Sequence, residues 1–97
     1  MEPQQETFVR TRLPRGREVF GQVEEVLGGS RFRVNCKDDK IRICKIPGKS
    51  KRDFWVNIGD FVLIEPWEIE PNEKGDIIFR YTRTQVEWLR RKGIIKQ

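Results

Sequence analysis

The sequence predicts a small all-β barrel of five strands, followed by one C-terminal helix. Three observations predict it: five short runs of β-type residues, the turn residues that separate these runs, and a helix-capping pattern near the C-terminus. With 97 residues, the chain is long enough for one domain whose core forms without metals or disulfides.

The strands are bounded by glycine, proline and aspartate turns. We expect them near residues 18–27, 31–36, 40–46, 61–67 and 76–81, with a short loop or helical turn over 49–54. The predicted organisation is a flexible basic N-terminal arm over 1–17, a barrel over 18–82, and a helix with a short tail over 83–97.

The C-terminal helix is predicted to begin at Thr84, because residues 84–87 have the form of a capping box. Gly93 is a natural stop, and Leu89 lies on the apolar face. The apolar runs 61–64 and 77–79 lack strict alternation, so both faces of those strands need cover. We therefore expect the helix to pack on the barrel, with Trp67 and Trp88 in the core.

The charge is unevenly distributed along the chain. The net charge of +5 combines a segment of nine Lys/Arg and two Asp over residues 31–52 with one of seven Asp/Glu and one Lys over residues 53–76. The basic segment favours a polyanionic partner. The acidic segment is interpreted as a solvated loop facing away from that partner rather than as a metal site, because no ligand spacing stands out.

Several function classes are disfavoured. The chain has no His, and its two Cys lack the spacing of a zinc site or a disulfide scaffold. Its longest apolar runs are about five residues, against roughly 20 for a membrane span, and its N-terminus lacks a secretory signal. An enzyme such as a small nuclease would need a general base, a metal cluster or an activated nucleophile. We expect a cytoplasmic protein without catalytic activity, cofactor or metal.

The hairpin 31–46 allows a prediction of which side chains share a face. If Asp38-Asp39 forms a two-residue turn, residue 36 lies opposite residue 41. Alternation then places on the core face Phe32, Val34, Cys36, Ile41 and Ile43, with Lys45 at its margin. The other face carries Arg31, Arg33, Asn35, Arg42 and Cys44, without opposite charge, and separates the two cysteines.

This cationic face continues into the loop residues Lys49, Lys51 and Arg52, a pattern typical of an RNA-binding barrel. The alternative is a solvated outer face. Trp55 alone is an aromatic near the patch, which favours a folded RNA recognised by its phosphates and shape. A single-strand-binding, cold-shock-like chaperone would need several exposed aromatics on that face.

Ordered motifs resemble a known family. They are V-x-x-V-L-G-G at residues 23–29, I-P-G-K at 46–49, W-V-x-x-G-D at 55–60, and K-G-D-I-I at 74–78 followed by Tyr81. Over residues 8–93 the chain resembles the translation initiation factor 1A family in its archaeal form, an OB-fold relative of bacterial initiation factor one.

The resemblance implies an S1-like OB barrel that binds rRNA at the A site of the small ribosomal subunit. It implies recruitment of initiator tRNA and mRNA alongside other initiation factors, by a monomer with no membrane partner. The family's RNA-contacting positions fall on Arg42, Lys45, Lys49, Lys51 and Arg52, with Trp55 beside them. The residue pattern adds Arg33 from the hairpin, and Arg10 and Arg12 from the arm.

Overall fold

The fold is taken from a computed structural model that describes residues 11–96. These residues form two compact units, one over 14–80 and one made of 11–13 with 81–96. The first unit contains strands β1 Val19–Leu27, β2 Arg31–Cys36, β3 Ile41–Lys45, β4 Phe61–Pro66 and β5 Lys74–Arg80, and a 3₁₀ turn Gly48–Ser50. The second contains helix α1, Arg83–Arg91. The predicted five strands and C-terminal helix are confirmed.

The strands close into a barrel in the order β1-β2-β3-β5-β4. β3 and β5 run parallel, and the other four pairs are antiparallel. Because parallel strands begin at the same end of a sheet, the loop before β5 and the turn before β3 lie at one end of the barrel. The loop that leaves β3 therefore starts at the opposite end.

The barrel core is built from inward side chains of all five strands. Its fully buried members include Phe32, Val34, Val62, Ile64 and Ile77. Two glycines allow the strands to approach closely around this core. A Cβ on Gly21 would lie 2.5 Å from Val34 Cγ1, and a Cβ on Gly75 would lie 2.7 Å from Ile64 Cγ2.

The β2–β3 turn corrects the predicted hairpin register. Arg31 pairs with Lys45 and Val34 with Arg42, and the amide of Cys36 donates to Lys40 O at 2.9 Å. The turn therefore has three residues, 37–39, and the two-residue turn is wrong. The third turn residue, Asp39, has a φ of 68°, a left-handed conformation that aspartate tolerates better than most residues and that three-residue hairpin loops favour.

This one-residue difference turns every side chain of β3 to the other face. The predicted orientations of Ile41, Arg42, Ile43, Cys44 and Lys45 are therefore wrong, whereas those of β2 are confirmed. Cys36 and Cys44 both point into the core as free thiols rather than lying on opposite faces. Burial raises the pKa of both thiols, so neither is a ready nucleophile.

Helix α1 begins at Arg83, and the predicted capping box over residues 84–87 is wrong. Thr82 is the N-cap: its hydroxyl accepts from Gln85 N at 3.1 Å, and Gln85 Oε1 accepts from Thr82 N at 2.8 Å. The chain offers two Thr-x-x-Glu/Gln patterns, and the first one forms the capping box. Gly93 ends the helix with a φ of 74°, as predicted. Leu89 is buried and Trp88 half-buried.

The domain boundaries and the packing of the helix on the barrel stay predictions. Trp67 is half-buried rather than a full core residue, and its indole N–H donates to Asp76 Oδ1 at 2.9 Å. Within residues 11–96, no helix combines the length and apolarity needed to cross a membrane.

Candidate nucleic-acid interface

The outer face of the β2–β3 ladder carries three cross-strand pairs. They are Arg31 with Lys45, Arg33 with Ile43, and Asn35 with Ile41. The pair nearest the loop after β3 is doubly cationic, and the pair nearest the turn before β3 joins an amide to an isoleucine that is 57% exposed. The face is therefore graded from charged to apolar along the strands.

Carboxylates flank this face, contrary to the predicted absence of opposite charge. The guanidinium of Arg33 forms an ion pair with Glu25 on β1. Lys45 lies beside Asp76, because the two are paired across the parallel β3–β5 ladder. Neither carboxylate belongs to the β2–β3 hairpin, because Glu25 lies on β1 and Asp76 lies on β5. The cations of the ladder are therefore partly neutralised, and the cations without a neighbouring carboxylate are to be sought at the end of the ladder.

The loop after β3 supplies the remaining cations. Successive turns shape it: Ser50 N donates to Pro47 O at 2.9 Å, and Asp53 N donates to Ser50 O at 2.9 Å. The side chains of Lys49, Lys51, Arg52 and Asp53 on these turns are exposed. We call the following exposed residues the basic end of the barrel: Arg31, Lys45, Lys49, Lys51 and Arg52.

Trp55 lies at the same end of the barrel. Its ring is 47% exposed and contacts the ring of Phe32, the residue next to Arg31, with centroids 5.3 Å apart. Its carbonyl accepts a hydrogen bond from Arg80 Nη1 at 3.1 Å. Val56 is fully buried, which confirms that Trp55 points outward and Val56 inward. The loop is thus anchored at both of its ends beside the β2–β3 ladder.

Arg42 is buried, although the sequence predicts that it lies on the outer face of the hairpin. Its side chain is 3% exposed, and it donates from Nη1 and Nη2 to the two carboxylate oxygens of Asp38 at 3.0 and 2.8 Å. Its Nε donates to Pro71 O at 2.6 Å. The hydrogen bonds from Arg42 hold the pKa of Asp38 below its usual value, and those to Asp38 raise the pKa of Arg42. The predicted surface position of Arg42 is therefore wrong.

The opposite end of the barrel carries charges of both signs, because Lys37, Lys40 and Lys74 lie there beside carboxylates. Exposed carboxylates lie there on the β2–β3 turn and on the loop before β5: Asp38, Asp39, Glu68, Glu70 and Glu73. Glu70 also approaches Lys74, with 3.9 Å between Oε1 and Nζ. Among the residues described, no three His, Cys, Asp or Glu side chains form a group that could hold a metal. The excess of cations is therefore confined to the basic end, and the opposite end is mixed in charge.

The two arginines of the arm are not part of the barrel unit, which covers residues 14–80. Arg10 lies outside the described residues. Arg12 belongs to the second unit, where its carbonyl accepts from the hydroxyl of Tyr81 at 2.5 Å. Sequence reasoning missed the outward isoleucines Ile41 and Ile43. The signal that could have found them is Arg42 four residues after Asp38, a spacing that suits an ion pair across a short turn.

Comparisons with known proteins agree on one family. The family model described as translation initiation factor 1A / IF-1 matches residues 5–97. Translation initiation factor 1A of Methanococcus aeolicus is 50% identical over the whole chain and 92% of its own length. The protein of that name from Pyrococcus abyssi is 49% identical over 92% of this chain and 79% of its own.

A solved structure supports the same relationship. The solution structure of translation initiation factor one from the Wolbachia endosymbiont of Brugia malayi is similar with a TM-score of 0.55 and 35% identity. The similarity covers 71% of this chain and 82% of that one.

Proposed function

The chain belongs to the translation initiation factor 1A / IF-1 family, and from that membership we propose that the basic end binds rRNA at the A site of the small ribosomal subunit. In this proposal the bound protein promotes recruitment of initiator tRNA and mRNA together with other initiation factors. It acts in the cytoplasm as a monomer, through binding and without catalysis.

The observation that carries the proposal is that five exposed cations lie at the end of the β2–β3 ladder and on the loop that follows it, a loop that also carries the exposed aromatic Trp55. Arg31 and Lys45 are cross-strand partners, and the loop cations follow Lys45 directly in the chain. Such a group neutralises several backbone phosphates, and the release of their counterions supplies much of the binding free energy. Arg33 is a weaker candidate than these five, because Glu25 already neutralises it.

A folded RNA suits this surface better than a run of single-stranded bases. Binders of single strands stack successive bases on several aromatic rings. Within residues 11–96, Trp55 is the one aromatic among the exposed large hydrophobic residues. We therefore propose that phosphate contacts position the protein on structured rRNA, and that Trp55 stacks against one unpaired base. Arg10 and Arg12 remain additional candidates.

The proposal is tested by co-sedimentation of variants with isolated small and large subunits. Lys49→Gln/Lys51→Gln removes two positive charges from the basic end, and Lys37→Gln/Lys40→Gln removes two from the turn at the opposite end. Both proteins have the same net charge, so general attraction to RNA changes equally in both. We expect the first variant to lose small-subunit binding and the second to retain most of it.

Equal losses in the two variants would show that net charge rather than the basic end determines binding. Equal binding of the unaltered protein to both subunits would favour the alternative of a general RNA chaperone with the same barrel.

A further inference from the structure

Both faces of strand β3 carry apolar side chains, so either face could be buried in the barrel. One alternation contains Ile41 and Ile43, and the other contains Cys44 and Ile46. The barrel buries the second set, and with it the side chain of Arg42. A buried guanidinium is costly unless it is paired and its donors are satisfied. Asp38 and the carbonyl of Pro71 meet that requirement through three hydrogen bonds.

A competing register lies one residue away. A two-residue turn at Asp38-Asp39, the commonest hairpin length, would bury Ile41 and Ile43 and place no arginine in the barrel. It would also turn Lys45 inward, because a shift of one residue exchanges the two faces of a strand. Apolar patterning alone therefore does not select the observed register.

We propose that Asp38 is a positioning residue for RNA binding: by neutralising the buried Arg42 it fixes the register of β3 and holds Lys45 outward at the basic end. Asp38 acts through Arg42, and neither residue touches RNA. Buried polar groups fix the register of packed elements in other proteins. The consequence for RNA affinity rests on the proposed function, whereas the control of register does not.

Asp38→Asn tests the consequence for RNA binding. Loss of the control of register by Asp38, which we call the register lock, predicts weaker small-subunit binding, whereas the change in net charge predicts stronger binding. The substitution keeps the shape of the side chain and makes the protein more positive by one charge, which by itself strengthens attraction to rRNA. Loss of the lock instead weakens small-subunit binding several-fold. Arg42→Met makes the protein less positive but leaves an apolar inward face on β3, so we expect near-normal binding from it.

The two thiols report the register directly, without RNA. In the observed register both cysteines are buried. After a one-residue shift of β3, Cys44 faces outward while Cys36, on β2, stays inside. We expect N-ethylmaleimide followed by peptide mass mapping to label Cys44 selectively in Asp38→Asn. Neither thiol should be labelled in the unaltered protein or in Arg42→Met.

The double variant Asp38→Asn/Arg42→Met should restore the register that Asp38→Asn loses. With no guanidinium to neutralise, we expect Cys44 to be protected again and subunit binding to return. The register lock is overturned, whatever the RNA result, if Cys44 stays protected from labelling in Asp38→Asn. It is also overturned if both thiols are labelled at equal rates, as in global unfolding. Selective labelling of Cys44 with unchanged subunit binding would support the register lock and contradict the RNA contact of Lys45.

Discussion

The ring of Trp55 meets the ring of Phe32 edge-on, with centroids 5.3 Å apart and planes at 70°. Phe32 is fully buried in the barrel, whereas about half of Trp55 is exposed. The aromatic pair therefore joins the barrel core to the solvent-exposed surface. Phe32 belongs to the core, whereas Trp55 packs on it and keeps about half of its surface open to a ligand.

Trp55→Ala should therefore affect both binding and stability. We expect small-subunit binding to weaken by about 1–3 kcal/mol, the usual contribution of a stacked base. The free energy of unfolding should fall by roughly 1–2 kcal/mol, because the edge-on pair and part of the ring's burial are lost. Denaturant melts and co-sedimentation measure the two effects, and Trp55→Phe is the control that keeps an aromatic face. Normal binding by Trp55→Ala would remove it from the interface.

Binding should depend steeply on salt. If the basic end neutralises four to six phosphates, the logarithm of the binding constant should fall against the logarithm of salt concentration with a slope of about −3 to −5. Lys49→Gln/Lys51→Gln should reduce the steepness by about 1–2. A slope near zero in the unaltered protein would indicate that stacking and apolar contacts dominate.

Stability should decline in acid partly through Asp38. Its pKa is lowered in the folded protein, chiefly by the hydrogen bonds from Arg42. A depressed carboxyl pKa contributes stability above the pKa of the unfolded chain, about 3.9, and that contribution is lost as the pH falls through the folded value. Arg42 stays charged and Cys36 stays neutral over this range, because the pKa of each is raised.

We therefore expect the free energy of unfolding to fall less between pH 5 and pH 2 (roughly the range over which aspartates titrate) in Asp38→Asn than in the unaltered protein. Denaturant melts at several pH values measure this difference. Parallel pH profiles would show that Asp38 contributes no acid sensitivity.

The close packing of β1 on the core at Gly21 limits the size of the side chain at that position. A methyl group at position 21 would lie 2.5 Å from Val34 Cγ1, so Gly21→Ala forces the core to move and should destabilise the protein by about 1–3 kcal/mol. Gly28→Ala is a suitable control, since nothing lies within 4 Å of its Cβ position. Equal melting of the two variants would show that the core absorbs the methyl group.

Strand positions and turns could be predicted from the sequence because their apolar runs and breaker residues are local signals. The orientation of β3 could not, because its two faces are about equally apolar, and burial of Arg42 also requires the carbonyl of Pro71, 29 residues away, as an acceptor beside Asp38. Likewise, the neutralisation of Arg33 depends on Glu25 of another strand. The exposed basic loop could be predicted because it lies within one continuous segment and needs no long-range pairing.

Leu89 provides a test of the second unit. It is the one residue of helix α1 whose side chain is fully buried, and its carbonyl accepts from Ile94 N at 2.9 Å where the helix ends. Leu89→Ala removes the buried isopropyl group beyond Cβ and leaves a cavity, so the free energy of unfolding should fall by roughly 2–4 kcal/mol. Glu87→Ala, an exposed position on the same helix, should change it by less than about 0.5 kcal/mol. A loss at Leu89 as small as that at Glu87 would show that this helix contributes little to the folded state, and would make its apolar face a candidate surface for a partner.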